Sequence, residues 1–342
     1  MRPDVLSMYE NELADYVVSI GEERYRGRQL YKWLHAGYPL DLMSNIPKKM
    51  KEKLVEKALI PTVAVDRKQV SEDGTVKYLF RCYDGEYIES VFMRHDYGNT
   101  VCVSSQVGCR MGCKFCASTI NGRKRNLAPS EMLSQIYEAQ NDTGEKVTNV
   151  VIMGMGEPFD NYDNVVRFIR LLNSENGMNL SCRRISLSTC GIVPGIKKFA
   201  DEGLPVTLSV SLHAPTDDQR SAVMPVNKTY CIAELLAACR EYYEKTGRRI
   251  SFEYALIDGQ NNSEQDAQTL ANLLKKGLSD TVIHVNLIPV NEVAERGFKR
   301  GSKIKTERFA AVLQKNGVNA TVRKRMGADI DAACGQLRAR KI

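Results

Sequence analysis

Short runs rich in β-branched residues alternate with helical patterns from about Thr100 onward, and this alternation constrains the fold more than any other feature. The runs are TVCVSS, TNVVIMG, RRISLST, PVTLSVSLH, RRISFEYALI and TVIHVNLIPV. Helices are predicted at Ser130–Asn141, Tyr162–Asn173, Ile232–Lys245, Ser263–Lys276 and Thr306–Asn316. Repeated strand–helix units favour a parallel sheet with right-handed crossovers, so we predict an α/β fold closed into a full or partial barrel. Functional side chains of such barrels lie at the carboxyl ends of the strands.

The first 94 residues follow a different pattern. A helical part containing Trp33 and Leu54 precedes a strand-like part around Val76–Phe92, with turn signals at Asp73-Gly74 and Asp84-Gly85. We interpret residues 1–94 as a small N-terminal accessory domain, 95–330 as the barrel and 331–342 as a C-terminal segment. Four residues are predicted to mark helix ends: Ser130 and Ser263 as N-caps, and Gly247 and Gly277 as C-terminal stops.

Ten cysteines occur in a chain without an apolar run near the ~20 residues that a membrane helix needs. The N-terminus is acidic where a secretory signal would be apolar, so we expect a cytoplasmic protein with no membrane contact. A reducing compartment leaves thiols free for metal binding or catalysis. Cys82, Cys182, Cys190, Cys231 and Cys239 lie in segments that favour simple burial. Cys102, Cys109, Cys113, Cys116 and Cys334 remain as candidate functional thiols.

The formal net charge of +7 is concentrated at the C-terminus. The last forty-two residues contain ten Lys or Arg against three Asp or Glu, whereas the preceding part balances at 38 against 38. Gathered positive charge favours a polyanionic partner such as nucleic acid, because Lys and Arg release condensed counterions from phosphates. A solvated basic tail is an equally good interpretation of the charge alone.

Three cysteines form the motif C-x3-C-x2-C directly after a predicted strand: Cys109, Cys113 and Cys116 in VGCRMGCKFCAST. Three thiolates on one short loop can bind three irons of a [4Fe–4S] cluster and leave the fourth iron open to another ligand. Structural zinc is the alternative, but zinc sites usually take four ligands in pairs, and no second pair is present. The spacing therefore favours the cluster.

The cysteine motif, with Phe115 before its last cysteine, resembles the radical S-adenosylmethionine superfamily. The segments GMGEP, LST, SLHAP, HVNLIPVN and DIDAACGQL, together with the upstream Cys102, narrow the resemblance. They are similar to the family of dual-specificity ribosomal and transfer RNA adenine-C2 methyltransferases, from the N-terminal region to the last dozen residues. One departure is Cys190, which follows LST where the family pattern leads us to expect serine.

The resemblance implies a partial (βα)6-type radical barrel that binds a [4Fe–4S] cluster and S-adenosylmethionine. It assigns Cys334 as the thiol that carries the methyl group, Glu89 as the proton acceptor, and Cys102 as the thiol that releases product by forming a disulfide with Cys334. Without the resemblance, Glu89 is interpreted as a solvated strand carboxylate, and Cys102 equally well as a core residue. Cofactor-binding positions implied by the family are Gly156, Glu157, Ser188, Ser211, Leu212, His213 and Asn291. Without the resemblance, a single histidine such as His213 would more often have a structural role than a ligand-binding one.

The implied partners are 23S ribosomal RNA, transfer RNA and an electron donor of the flavodoxin or ferredoxin type, with the chain acting as a monomer. The implied substrates are an adenosine of the peptidyl-transferase centre and the adenosine 3′ to the anticodon. Candidate RNA-backbone contacts are Arg123, Lys124, Arg125, Arg323, Lys324, Arg325, Arg338, Arg340 and Lys341. Any single one of these cations is also compatible with a merely solvated face.

Two other functions remain open from the sequence. A relative directed to C8 of the same ribosomal adenine, which confers antibiotic resistance, would use the same cysteines. A non-catalytic iron–sulfur or zinc RNA-binding protein would account for the charge and the cysteine triad, but it would leave Cys102 and Cys334 without a role.

Overall fold

The computed structural model describes residues 2–60, 62–279 and 281–339. Its N-terminal part contains three helices: α1 (Glu10–Ser19), α2 (Arg24–His35) and α3 (Lys48–Lys57). Their apolar faces are buried at Leu13, Leu30 and Leu54, none of which is exposed to solvent. Burial of each such side chain contributes roughly 1.5–3 kcal/mol, which outweighs the weak helix-forming tendency of segments this short.

The strands are β1 (Ala64–Val70), β2 (Val76–Arg81), β3 (Tyr87–His95), β4 (Gly98–Cys102), β5 (Gln106–Gly108), β6 (Arg123–Asn126), β7 (Val147–Ile152), β8 (Ile185–Thr189), β9 (Thr207–Ser211), β10 (Ile250–Leu256), β11 (Ile283–Pro289) and β12 (Ala320–Val322). Ten of them form one sheet in the order β1-β2-β3-β4-β7-β8-β9-β10-β11-β12, and β5 pairs separately with β6. From β4 to β12 neighbouring strands run parallel. The predicted α/β fold is confirmed, with a short twelfth strand that the sequence pattern did not indicate.

The remaining helices are α4 (Pro129–Thr143), α5 (Tyr162–Asn173), α6 (Val193–Ala200), α7 (Asp217–Val223), α8 (Ile232–Thr246), α9 (Glu264–Gly277) and α10 (Lys303–Lys315). All five helices predicted from the sequence are present. Ser263 caps α9 as expected, accepting the N–H of Asp266, and Gly247 ends α8 with a left-handed φ of 61°. Gly277 is the last residue of α9.

Two sequence predictions about individual residues are wrong. Ser130 is not an N-cap, because α4 begins one residue earlier at Pro129, with Ala128 as its N-cap, and the Ser130 hydroxyl instead donates to Asp4 Oδ2 at 2.7 Å. Cys231 is only half-buried, since it occupies the N-cap of α8 at the surface end of that helix. The other four cysteines assigned to simple burial are buried.

The strand-like part of the N-terminal region continues the barrel sheet. β3 pairs antiparallel with β4, with Val91 opposite Cys102, so residues on both sides of position 94 belong to one sheet. The division into 1–94 and 95–330 stays a prediction about folding units. No helix in the described part of the chain is long and apolar enough to span a bilayer.

Candidate active site

The three motif cysteines line one cavity at the carboxyl ends of the parallel strands. The β5–β6 hairpin fixes the start of their loop, where the Cys109 N–H donates to the carbonyl of Gly122 at 3.0 Å. Within the loop the Thr119 hydroxyl lies 3.0 Å from the carbonyl oxygens of both Cys113 and Cys116. The loop is therefore held by its own backbone bonds, which leaves the sulfur atoms available to a ligand.

Burial dominates the electrostatics of these thiols. It raises the pKa of Cys109 to about 12, and it raises the pKa of Cys113 and Cys116, with neighbouring thiols adding to the effect at all three positions. Such thiols become thiolates only when a cation binds them, because a buried negative charge needs a partner. The irons of a cluster provide that partner, so the donor set fits a [4Fe–4S] cluster bound through three irons.

A single metal ion fits the donor set less well. Within residues 2–60, 62–279 and 281–339, no three Cys, His, Asp or Glu side chains converge closely enough to hold one ion. A zinc ion needs its ligands on one tetrahedron, whereas a cluster holds thiolates further apart because each binds a different iron. The chemistry of three thiols on one loop, without a paired set of further ligands, favours a cluster over zinc.

The same cavity is lined by most of the expected cofactor-binding residues. Those that line it are Gly156, Glu157, Ser188, Ser211, His213 and Asn291. Leu212 does not line it, because its side chain is fully buried in the hydrophobic core. Only the backbone of Leu212 is thus available for a role in cofactor binding. The cavity leaves about 970 Å³ free of protein atoms, counting the part open to solvent.

Glu157 is a buried carboxylate with its protein partners already in place. Its Oε1 accepts the hydroxyl of Thr189 at 2.7 Å and the N–H of Phe159 at 3.0 Å, while Oε2 accepts the N–H of Cys190 at 2.7 Å. Burial raises the pKa of Glu157. A cationic ligand group in the cavity would stabilise the ionised form, since opposite charge offsets desolvation.

His213 lies in the cavity in an unusual backbone conformation, with φ of 57°. Its Nδ1 accepts the N–H of Ala255 at 2.9 Å, and its ring makes an edge contact with Phe115 at a centroid distance of 4.9 Å. Burial lowers the pKa of His213 to about 3, so the imidazole is neutral. Because Nδ1 accepts this bond, the neutral ring carries its proton on Nε2, which can act as a donor.

Two buried charged residues of the site were missed by the sequence analysis. Glu253 in the middle of β10 lines the cavity and accepts the side-chain amide of Asn286 at 2.8 Å. Arg220 in α7 is fully buried and donates to the carbonyls of Cys190 at 2.7 Å and Ser211 at 3.1 Å. A lone acid within the apolar strand ISFEYAL could have signalled Glu253, but nothing local distinguishes Arg220.

Cys334 lies where two cavities meet. It lines the cavity of the three motif cysteines and also a second cavity, which Cys102 lines from the end of β4. Both thiols are free in the structure. Cys334 is half-buried, as expected for an accessible thiol, whereas burial, assisted by the nearby Cys334, raises the pKa of Cys102 to about 12. Arg323 lines both cavities as well.

The backbone around Cys334 is fastened to the cysteine loop. Asn291 Nδ2 donates to the Cys334 carbonyl at 3.1 Å, and the N–H of Ala117 donates to the carbonyl of Gly335 at 2.7 Å. The Ser118 hydroxyl donates to the carbonyl of Leu337 at 2.5 Å. Asn291 therefore positions the C-terminal segment in addition to lining the cavity.

Glu89 does not line the cysteine cavities. Its side chain is buried, 2% exposed, beside a separate small cavity that Lys77, Gln336 and Arg338 also line. The interpretation of Glu89 as a solvated carboxylate is therefore wrong. The expected RNA contacts at Arg123, Lys124 and Arg125 are each paired with a carboxylate, of Asp160, Glu86 and Glu131 respectively. Arg340 and Lys341 lie outside the described residues.

A parallel α/β barrel whose three-cysteine loop shares one cavity with polar residues suited to bind a cofactor defines a radical S-adenosylmethionine enzyme. The family model described as "Radical SAM superfamily" matches residues 103–291, which is more than half of the chain. A second model, "Ribosomal RNA large subunit methyltransferase N-terminal domain", matches residues 3–60.

Full-length relatives narrow the assignment. The chain is 51% identical over 338 residues to the "Probable dual-specificity RNA methyltransferase RlmN" of Lachnospira eligens, covering 98% of this chain and 95% of the relative. It is 47% identical over 344 residues to the protein of the same name from Geobacillus kaustophilus, covering 99% and 93%. The crystal structure of a radical SAM methyltransferase from Sphaerobacter thermophilus superposes with a TM-score of 0.95 at 44% identity, covering 99% and 100%. The chain belongs to the RlmN family of radical SAM methyltransferases.

Proposed function

We propose that the protein methylates C2 of an adenosine in the peptidyl-transferase centre of 23S ribosomal RNA and of the adenosine 3′ to the anticodon in transfer RNA. The names of its relatives support RNA as the substrate. The observation that carries the proposal is the position of Cys334 between the three-cysteine cavity and the cavity of Cys102. A purely structural or RNA-binding protein has no use for that arrangement of five thiols.

The lining of the first cavity supports the proposed binding of both cofactors. Cys109, Cys113 and Cys116 hold the cluster, and the polar groups at Glu157, Ser188, Ser211, His213 and Asn291, with the backbone at Gly156 and Leu212, hold S-adenosylmethionine. When bound, the cluster and S-adenosylmethionine together supply a 5′-deoxyadenosyl radical that removes hydrogen from an unactivated methyl group. Adenine C2 lacks a nucleophilic lone pair, which is why radical chemistry is required at this carbon.

The chain's own residues carry the methyl group and release the product. Cys334 Sγ accepts a methyl group from one S-adenosylmethionine and becomes joined to adenine C2 through that carbon. Glu89 accepts the proton that C2 loses. Cys102, as a thiolate, then attacks Cys334 Sγ. The bond between Sγ and the transferred carbon breaks, and its electron pair stays on that carbon, which takes up a proton to become the methyl group of the released RNA. Two electrons and two protons from a thiol or dithiol reductant then convert the Cys102–Cys334 disulfide back to two thiols. Two molecules of S-adenosylmethionine are consumed in each turnover.

The proposal also includes an electron donor, an oligomeric state and a cellular compartment. A flavodoxin or ferredoxin is the proposed source of electrons, and the chain is proposed to work as a monomer in the cytoplasm. Ten free thiols are compatible with a reducing compartment. RNA loops are the expected targets, because an unpaired adenosine costs least to extract from its neighbours.

The experiment that tests the proposal is anaerobic incubation of reconstituted protein with S-adenosylmethionine, reductant and protein-free 23S ribosomal RNA, followed by nucleoside mass spectrometry. We expect 2-methyladenosine from the native chain and none from Cys334→Ala. Cys239→Ala is the matched control, because Cys239 is fully buried in the core and lines neither cavity, and it should retain activity.

Three outcomes would contradict the proposal in different ways. Formation of 8-methyladenosine would assign the protein to the C8-directed relatives. Absence of any methylated adenosine from protein with a demonstrated cluster would overturn RNA methylation altogether. Methylation by Cys334→Ala at the native rate would exclude a carrier role for that thiol.

A further inference from the structure

A basic groove lies against the N-terminal halves of β7 and β8, on the side of the sheet where Asn149, Val151 and Ser186 face a cavity. We define the basic groove by the residues His95, Tyr97, Arg183, Arg184, Arg323 and Lys324, all of which line that cavity. The cysteine cavity lies at the other ends of the same strands, and the two cavities share Arg323. None of the roles assigned above to cluster, cofactor or methyl transfer uses it.

One carboxylate, that of Asp96, also lines this cavity, but in the described part of the chain no ion pair joins it to the cations of the basic groove, which are poorly neutralised. Among the described residues, Arg183 and Lys324 make no ion pair, and Arg184 reaches only the side-chain oxygen of Asn149, at 3.3 Å. Arg323 has its nearest carboxylate, Glu253, at 3.9 Å. The contrast is with Arg123, Lys124 and Arg125, which are all paired. Unpaired Arg and Lys around one concave surface favour a polyanion.

An exposed aromatic surface borders these cations. The rings of His95 and Tyr97 stack at a centroid distance of 4.7 Å and an interplanar angle of 9°, and Tyr97 is 67% exposed. The pKa of His95 is lowered by burial and then by the charges of Arg323 and Lys324, so this ring is neutral near pH 7. A flat exposed ring next to unpaired cations is the combination that binds single-stranded nucleic acid, in which bases are free to stack.

The basic groove adjoins the place where the methyl group is transferred. Met93, Arg323, Lys324 and Met326 line both the groove and the cavity shared by Cys102 and Cys334. A chain lying in the groove therefore leads directly to the two reactive thiols. Duplex RNA is too wide and too regular to place a base there without strand opening.

We propose that the basic groove binds the single-stranded RNA that flanks the target adenosine, with its phosphates against Arg183, Arg184 and Lys324 and one base stacked on Tyr97. This inference rests on the proposed function, because it takes RNA as the substrate. It adds a binding site in a region that carries none of the cluster, cofactor or methyl-carrier residues.

The test compares two double variants that remove the same charge. Arg183→Gln/Arg184→Gln changes the groove, whereas Lys275→Gln/Lys276→Gln changes two lysines at the exposed end of α9. Dissociation constants are measured for a single-stranded-loop fragment of 23S ribosomal RNA across a salt series. The groove variant should bind the RNA fragment at least about tenfold more weakly than the native chain. The slope of the logarithm of affinity against the logarithm of salt concentration should become shallower by about 1–2, as expected for lost phosphate contacts. The α9 variant should match the native chain.

A second pair of variants tests the stacking surface. Tyr97→Ala should weaken binding about fivefold or more, whereas Tyr97→Phe keeps the ring and should bind like the native chain. Methylation of Cys334 by S-adenosylmethionine without RNA, measured by protein mass spectrometry, should be unchanged in all groove variants, which shows that they fold and load their cofactors.

Distinct outcomes separate this inference from the proposed function. The groove assignment would be overturned if the groove and α9 double variants weakened RNA binding equally, or if duplex RNA competed with the single-stranded fragment as well as single-stranded RNA does. In either case, methylation by the native chain would still support RNA as the substrate. A native chain that methylates no adenosine, with groove variants that still lose RNA binding, would overturn the proposed function and support the groove.

Discussion

Lys77 Nζ lies 3.1 Å from Glu89 Oε1, and both side chains are more than nine-tenths buried. The same ammonium donates to the carbonyl of Asp331 at 3.2 Å, and Glu89 Oε2 accepts the N–H of Arg338 at 2.7 Å. The pair thus fastens the C-terminal segment on both sides of Cys334. If Glu89 accepts a proton during catalysis, the bond to Arg338 must weaken at that moment, which would loosen the segment that carries the methyl group.

Lys77→Met should destabilise the protein by about 3 kcal/mol or more, because it leaves the buried Glu89 carboxylate without its counter-charge. Lys77→Met/Glu89→Gln should recover part of that loss, since a neutral amide needs no counter-charge. Urea unfolding of the two variants measures both effects. Equal stability of the single and double variants would show that the ion pair contributes little.

Gly156→Ala should impair the cofactor cavity. Gly156 has φ of 106°, and an added Cβ would lie 2.7 Å from Cβ and 2.8 Å from the backbone N of Gln106. Gly203→Ala is the control, because Gly203 also has a positive φ, of 65°, but has nothing within 4 Å. The control should lose about 1–2 kcal/mol of stability from backbone strain alone. Gly156→Ala should lose more and bind S-adenosylmethionine more weakly in equilibrium dialysis; identical behaviour would argue against the predicted clash.

Arg220→Met should destabilise the fold by at least about 3 kcal/mol, because several buried carbonyls lose their donor. The carbonyls of Cys190, Ser211 and Leu212 all accept from this guanidinium. Arg220→Lys keeps the charge but cannot reach three acceptors, so it should fall between Met and the native residue. Denaturant unfolding measures the order of stability of the native chain and the two variants. If Arg220→Lys is no more stable than Arg220→Met, the effect would be assigned to the geometry of the guanidinium and not to its charge.

Stability should fall as pH drops below 6.5, in part because of His35. Burial lowers the pKa of His35 to about 3, and Nε2 has no hydrogen-bond partner among the described residues. The unfolded chain therefore binds this proton near pH 6.5 while the folded chain does not, so stability is complete above pH 6.5 and is lost towards pH 3. One such group costs about 1.4 kcal/mol per pH unit.

His35→Gln removes this titration. Its free energy of unfolding, measured in urea at pH 7, 6 and 5, should decline less steeply than that of the native chain by about 1.4 kcal/mol per unit below pH 6.5. The substitution has its own cost at pH 7, since His35 Nδ1 lies 3.1 Å from the Tyr137 hydroxyl, so the slopes are the test. Parallel pH profiles would contradict the assignment.

Most of the barrel could be predicted because its elements are long enough to show their periodicity. Helix α5 has the predicted bounds, Tyr162–Asn173, and the predicted β-branched runs each overlap a strand. Strand β12 has three residues and α7 has seven, and elements that short are formed by tertiary packing with little local signal.

The residues of the site also differ in how far they could be predicted, depending on whether their contacts are local in the sequence. The three motif cysteines lie within eight residues of one another, so their meeting in one cavity follows from local spacing. Arg220 reaches the carbonyl of Cys190, which follows β8, and that of Ser211 at the end of β9, and Glu89 contacts a segment 249 residues away. Contacts of that kind depend on how the whole sheet closes. Local residue patterns do not predict them one by one.

The outer edge of the sheet carries a further consequence. Strand β1 is exposed over most of its length, contains Asp66, Arg67 and Lys68 in succession, and has a register irregularity between Val65 and Arg67. Charge and a bulge on an edge strand discourage another strand from pairing with it. We therefore expect concentrated solutions of the protein to resist aggregation through pairing of sheet edges. This property is useful for a chain that exposes the polar backbone of its edge strand β1 while it approaches a large folded polyanion.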